Sequence, residues 1–272
     1  MLVRALTWNL FHGRDHPPDP TLRTTRSRLL RTTERSDTHV QVNRPLKDEF
    51  ARALAMLEWD VALLQEAPPR WLERLCRTTG SAGASALTSR NAGAAARALL
   101  AWLNPDLTAS AEGGSNQILV RQPWRIESIR RHTIASRPER RRMIHATLAA
   151  PGGERLAVAN LHASTGGGPA ARREVVSAAS TAVGWAGPAP LVFGGDLNLT
   201  PAGAPETFER LAALGLTGAT GPDAIDHLLA RGARPVELPR PLPPERRELP
   251  ADGGRAIRLS DHDVVVATFE VE

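Results

Sequence analysis

Short apolar runs, several alternating with polar residues, recur along the chain with helical or polar stretches between them. The runs Leu2–Trp8, Val61–Gln65, Gln117–Arg121, Arg142–Ala149, Arg155–Asn160, Leu191–Gly194, Ala224–Leu229 and Asp263–Val271 predict β-strands. The stretch RRMIHATLAA alternates as a strand with one packed face should. Apolar residues three and four apart predict helices over Lys47–Leu57, Pro68–Arg77, Ala170–Val183 and Pro205–Leu214. The mixture implies an α/β protein with two sheets and helices on the outside. Three stretches fit no single element. Thr21–Pro45 is rich in Arg and Thr, Thr78–Ser115 in Ala, Gly and Ser around a helix near Ala94–Leu103, and Ala230–Arg258 in Pro and Arg. Each interrupts the series of elements without dividing it, so they read as insertions or surface loops of one domain over residues 1–272.

Composition narrows the class. The 272 residues are 42% hydrophobic, enough for a sizeable core. No apolar run reaches the roughly 18 residues of a membrane span, and MLVRALTWNLF turns polar too soon for a signal peptide. The expected address is cytoplasmic and the expected state a monomer. The single cysteine, Cys76, has no partner for a disulfide or a zinc site and reads as a small buried hydrophobe. The net charge of +5 invites a nucleic-acid reading, yet Lys47 is the one lysine beside 33 arginines, and Ala, Gly and Pro are abundant throughout. That skew fits biased codon composition. The run Arg137–Arg142 reads as solvated surface.

The polar residues collect at strand exits. Leu2–Trp8 empties into Asn9; VALLQ into Glu66; AVANLH into Asn160 and His162; PLVFGG into Asp196 and Asn198. Asp226 opens DHLL, and Asp261 and His262 lead into the last strand. A single Asp or Asn after a strand is an ordinary turn former or cap. Six exits ending in carboxylate, carboxamide or imidazole suggest one site held by a rigid sheet. Carboxylates and carboxamides without cysteine make a hard oxygen site, suited to Mg²⁺ or Mn²⁺. Histidines beside carboxylates supply proton transfer or charge for a phosphoryl oxygen. Together these equip water to attack phosphorus. A GxxxxGK[ST] loop, a GxSxG elbow and a candidate catalytic cysteine are all missing, which excludes the corresponding chemistries.

TWN at Thr7–Asn9, LQE at Leu64–Glu66, NLH at Asn160–His162, GGDLN at Gly194–Asn198, IDH at Ile225–His227 and SDH at Ser260–His262 resemble, in order and spacing, the motifs of the endonuclease/exonuclease/phosphatase superfamily. The resemblance runs from residue 7 to residue 262. It implies a four-layer α/β sandwich like that of deoxyribonuclease I, and a Mg²⁺-dependent phosphoester hydrolase. By the same resemblance Glu66 would be the principal metal ligand, with Asn9 and Asp261 close to the ion or its waters. Asp196 would orient or deprotonate the attacking water, and Asn198 would hold it or a phosphate oxygen. His262 would face the scissile phosphate with Asp226 as its carboxylate partner, and His162, supported by Asn160, would be the second imidazole.

Two departures shape the expected branch. AP endonucleases place a tyrosine where His162 stands, and this chain has no tyrosine. RQP at Arg121–Pro123 resembles the REP of deoxyribonuclease I, so Gln122 would stand where a glutamate partners the second histidine. Asn116 matches an asparagine that opens that strand in many members, and serves a turn or the substrate. His12 and Arg14, just past Asn9, could reach the substrate; His39, His132 and His145 receive no role. Ala230–Arg258 has neither Trp nor Phe to enter a membrane, which disfavours a lipid substrate; nucleic acid is slightly favoured, with a small phosphoester or a lipid head group as alternatives. A reading of another class, an inactive member kept as a binding module, would require loss of Glu66 or of the Asp226–His262 pair, and both are present.

Overall fold

The computed structural model describes residues 1–89, 93–137 and 139–271. Its strands are β1 (Leu2–Asn9), β2 (Glu34–Arg35), β3 (Val40–Gln41), β4 (Val61–Ala67), β5 (Ser81–Leu87), β6 (Ser115–Arg121), β7 (Arg125–Ala135), β8 (Arg141–Ala149), β9 (Arg155–His162), β10 (Leu191–Asp196), β11 (Asp226–Arg231), β12 (Arg234–Pro241), β13 (Glu248–Pro250), β14 (Ala256–Arg258) and β15 (Val265–Glu270). Its helices are α1 (Thr25–Leu30), α2 (Lys47–Met56), α3 (Leu72–Thr79), α4 (Ala94–Leu103), α5 (Pro105–Thr108), α6 (Pro169–Ala186) and α7 (Pro205–Ala213). Six strands form one sheet in the order β12-β15-β1-β4-β6-β5, and five form the other in the order β11-β10-β9-β8-β7.

Alternation along the central strands decides which side chains meet. Val3, Ala5, Val61, Leu63, Ile118 and Val120 of the first sheet pack against Ile144, Ala146, Leu148, Leu156, Val158 and Val192 of the second. The opposite faces are covered by helices. Leu6, Trp8, Ala62 and Leu64 pack under α2 with Phe50 and Leu54, while Ala157, Leu161, Leu191 and Phe193 pack under α6 with Val175, Ala178 and Ala182. Strands buried on both faces satisfy the four-layer expectation of helix, sheet, sheet, helix.

The strands that the apolar pattern did not predict are edges. β5 and β12 close the two ends of the first sheet and β7 one end of the second. β7 is RIESIRRHTIA and mostly solvated; β12, RPVELPRP, carries three prolines that only an edge tolerates. These three edges bury little, so their sequences carry no apolar run to read, whereas the edge strand β11 is buried and was predicted. The Thr78–Ser115 segment therefore holds β5, α4 and α5 where a loop around one helix was expected, its residues 90–92 lying outside the described set, and Ala230–Arg258 holds β12 to β14.

Candidate active site

Pairing direction brings the polar strand exits to one end. β1 runs parallel to β4 with Asn9 opposite Gln65, and β9 parallel to β10 with His162 opposite Asp196. β11 is antiparallel to β10, so its first residue, Asp226, also falls opposite Asp196. Parallel strands present their carboxyl ends together, and sheet packing then faces the two rows across the sandwich.

The two glycines of GGDLN have a steric cause. A Cβ on Gly194 would lie 2.2 Å from the His227 carbonyl oxygen, and one on Gly195 would lie 2.0 Å from that of Leu161. Gly195 also has φ +125°, which side-chain-bearing residues avoid. The glycines let β10 press between its neighbours and carry Asp196 to the centre of the site.

Beneath the cleft lies a polar layer that replaces the apolar core. Gln65 Nε2 donates to Asn160 Oδ1 at 2.7 Å and to Thr7 Oγ1 at 3.1 Å, and Asn160 Nδ2 donates to the carbonyls of Leu64 and Gln117. All three side chains are buried, and the bonds tie one sheet to the other. Asn160, expected to support His162, lies in this layer with its carboxamide bonded to Gln65 and to the Leu64 and Gln117 carbonyls. Asn116 differs from its substrate-binding assignment. It is fully buried and donates to the Arg142 carbonyl at 2.9 Å, joining β6 to β8 instead of facing the cleft.

Above this layer the predicted residues converge. Asn9 Nδ2 donates to Asp196 Oδ2 at 2.9 Å while Asn9 Oδ1 accepts the Phe11 N–H. Asp196 Oδ2 lies 3.4 Å from His162 Nε2 and 3.9 Å from His262 Nε2. Asp196 Oδ1 accepts the Asn198 N–H at 3.0 Å, and Asn198 Nδ2 donates to the Ala163 carbonyl. His262 Nδ1 is 2.8 Å from Asp226 Oδ2, and Asp261 Oδ1 is 3.9 Å from His262 Nε2. Glu66 lies 3.2 Å from His12 Nε2 and 3.8 Å from His162 Nε2. Arg14 lies over the Phe11 ring, 3.8 Å from its centroid, and donates to the Asp106 carbonyl.

Backbone strain concentrates here. Glu66 (φ 45°), His12 (φ 53°), Asn198 (φ 51°) and Ser260 (φ 61°) all adopt the left-handed region, at roughly 1–2 kcal/mol each. Glu66 sits where the β4–β6 register shifts between Leu64 and Ala67, an irregularity that re-aims its side chain toward the histidines. Ser260 bonds the Asn9 carbonyl through Oγ and accepts the His262 N–H, and Trp8 Nε1 donates to the His262 carbonyl. These two residues anchor His262. Ser260 lies in the SDH motif and Trp8 in the TWN motif, although neither residue was assigned a role from the sequence.

Burial and charge set protonation. Burial, reinforced by Asp196 and Asp261, pushes Glu66 up to about 7. Burial raises Asp196 and Asp226 too, the latter against the pull of its bond to His262. Burial draws His162 down to about 4, the attraction of Asp196 being too small to compensate. Burial likewise opposes the charge on His262, but the bond to Asp226 and the charges of Asp226, Asp196 and Asp261 prevail and push it to about 10. One imidazole is neutral and the other cationic.

Two expectations are corrected. Gln122 is exposed in the turn after β6, which runs antiparallel to β4, so it lies at the opposite end of the sheet from His162. The neighbour of His162 is Arg141, whose Nη1 stands 3.5 Å from Nδ1. Arg141 belongs to the run read as solvated surface, yet it is buried and lines the cleft. That cleft measures about 830 Å³ and is bounded by His12, Glu66, Arg97, Arg141, His162 and Ser164.

The donor set fits a hard divalent ion. Burial raises Glu66 and the nearby Asp196 and Asp261 add to it, and Glu66 and Asp261 stand on the accessible side. Asp196, Asp226 and His262 also offer ligand atoms within 4.8 Å of one another, although Nδ1 of His262 is held by Asp226.

An α/β sandwich with this cleft defines a class of phosphoester hydrolases. The model of the endonuclease/exonuclease/phosphatase family matches residues 6–262, and the chain belongs to that family, whose members are hydrolases of phosphoester bonds, generally dependent on a divalent metal. No curated protein matches significantly. Among solved structures, an endonuclease/exonuclease/phosphatase from Bacteroides vulgatus is 17% identical with a TM-score of 0.63, all of both chains being covered. The human Nocturnin catalytic domain with bound sulfate is 14% identical, TM-score 0.64, covering 100% of this chain and 95% of that one. D. rerio TDP2 complexed with a single-strand DNA product is 15% identical, TM-score 0.58, covering 99% of each chain.

Proposed function

We propose that residues 1–272 form one domain, a monomer of the cytoplasm, that hydrolyses a phosphodiester or phosphomonoester with Mg²⁺ or Mn²⁺ as cofactor. The observation that carries this reading is the chain of contacts that joins Glu66, His162, Asp196 and the Asp226–His262 pair in one cluster. Glu66 and Asp261, with Asn9 behind them, would hold the ion, which when bound neutralises their charge and polarises a phosphoryl oxygen. Asp196, made more basic by burial, takes the proton of the attacking water. Asn9 and the Asn198 N–H fix its carboxylate, and the Asn198 carboxamide, held to the Ala163 carbonyl through one N–H, keeps a second N–H for a phosphate oxygen. His262, cationic beside Asp226, stabilises charge on the phosphoryl oxygens. His162 stays neutral beside Arg141, so it offers a hydrogen bond to water or phosphate in place of a proton for the leaving group. His12, on Glu66, completes the wall.

Nucleic acid is the first substrate class to test, supported by arginines on the cleft and by the DNA product bound to the zebrafish relative. A head group carried on an apolar chain is the second, supported by the exposed Leu99 and Trp102 of a neighbouring cavity that shares His12 with the cleft. Purified protein should be assayed with Mg²⁺ against duplex DNA, single strands, RNA, inositol phosphates and sphingomyelin, with EDTA and Asp196→Asn as controls. Turnover of at least one, lost in both controls, is the expected result. Turnover that survives EDTA would overturn the metal-assisted reading.

A further inference from the structure

Helix α4, AAARALLAWL, is packed inside out. Its small residues Ala98 and Ala101 are the buried ones, at 9% and 7% exposure, whereas Leu99, Leu100 and Trp102 are 57%, 50% and 61% exposed. A helix that serves only its own fold places large apolar residues inward. Exposed apolar side chains continue beyond α4. Leu107 of α5 is exposed, and Asn104 Nδ2 donates to the Arg28 carbonyl at 3.0 Å, bringing the exposed Leu29 and Leu30 of α1 against the α4–α5 junction. Half-exposed side chains of this size make a patch on the order of 500 Å², a range that marks an interaction site.

The patch is continuous with the cleft. A cavity of about 580 Å³ runs from His12, the neighbour of Glu66, past Trp71 to Leu99 and Trp102, with Lys47 at its edge. Cations fringe it. Arg26 and Arg31 flank Leu29 and Leu30, and among the described residues neither they nor Lys47 has an ion-pair partner. The nearby carboxylates are already engaged, Asp48 with Arg74 and Glu49 with Arg44. Leucines outnumber aromatics, which suits acyl chains better than stacked bases.

We propose that α1, α4 and α5 form a docking face for an anionic lipid surface, seating the catalytic cleft against it so that the phosphoester hydrolysed is one presented at that surface. The docking stands on the patch alone; the statement about substrate rests on the hydrolase reading above. Leucines and Trp102 enter the acyl boundary while Arg26, Arg31 and Lys47 meet lipid phosphates.

The test is sedimentation of the full chain with phosphatidylcholine vesicles, with and without roughly a third phosphatidylglycerol. Binding should favour the anionic vesicles, weaken with salt, and shift the emission of Trp102 to the blue. Leu99→Ser/Trp102→Ser/Leu103→Ser should weaken binding at least about tenfold with an unchanged circular dichroism spectrum. Should that variant fail to fold, Arg26→Ser/Arg31→Ser/Lys47→Ser, which leaves the helices' packing alone, must abolish the preference for anionic vesicles. Failure to bind either vesicle, or equal binding to both, overturns the proposal. So does a dimer, or a complex with a single-strand oligonucleotide, that the leucine variant dissolves while vesicles are ignored. Glu66→Gln separates the two readings. It must bind vesicles like the parent; a parent that hydrolyses phosphoesters without binding vesicles sinks only the docking face.

Discussion

Glu66→Gln should stabilise the metal-free protein while abolishing its response to metal. The carboxyl is held at about 7 against an ordinary 4.5, because it is mostly buried and faces Asp196 and Asp261. At about 1.4 kcal/mol per unit, an ionised Glu66 costs the folded state about 3 kcal/mol relative to the unfolded chain. A raised folded value means the folded state binds this proton more tightly. The cost is therefore absent below about pH 4.5, grows as the unfolded chain loses its proton, and is complete above about pH 7. Glutamine keeps an acceptor for His12 and removes the charge, so a gain of about 1–3 kcal/mol is expected at pH 8, or roughly 2–5 °C in melting temperature. Thermal unfolding in EDTA at pH 8 and pH 5 measures it, and the gap between variant and parent should close at pH 5. Added Mg²⁺ should raise the melting temperature of the parent by linkage and leave the variant unmoved. A variant that melts below the parent in EDTA at pH 8, or a gap independent of pH, would refute the picture of a carboxyl raised by burial and by its acidic neighbours.

Three further outcomes are expected. Asp226→Asn removes the partner that keeps His262 charged, so its pKa, followed by NMR titration, should fall from about 10 toward 6.5, with activity lost about a hundredfold or more at neutral pH and partly recovered as pH drops; an unchanged titration would break the pairing. Gly195→Ala should destabilise by at least about 3 kcal/mol, read from urea unfolding, because its Cβ would strike the Leu161 carbonyl at an unfavourable φ; a near-neutral result would refute the steric account. Gln122→Glu should leave the pH–rate profile in place, since Gln122 lies at the far end of the sheet from His162; a shifted alkaline limb would show that the two communicate.

The sequence by itself determined the central strands, the covering helices and the donor set, because those residues are constrained locally. Buried strands must be apolar at every position, α6 must repeat its alanines every third or fourth residue, and strand exits must spell their polar residues in order. Asn9, Glu66, His162, Asp196, Asp226 and His262 could be read as one site before any contact was known. Pairing and direction belong to tertiary structure. Because β6 runs antiparallel to β4, Gln122 is carried away from the histidine that motif order assigned to it. Burial is a property of neighbours as well, so Arg141, one arginine in a surface-like run, becomes a cleft residue. Edge strands β5, β7 and β12 left no pattern because they have little to bury. The inverted face of α4 escaped for a related reason. Its ten residues hold nine apolar ones, and composition cannot say which side of such a helix meets water until a partner sheet or helix has claimed the other.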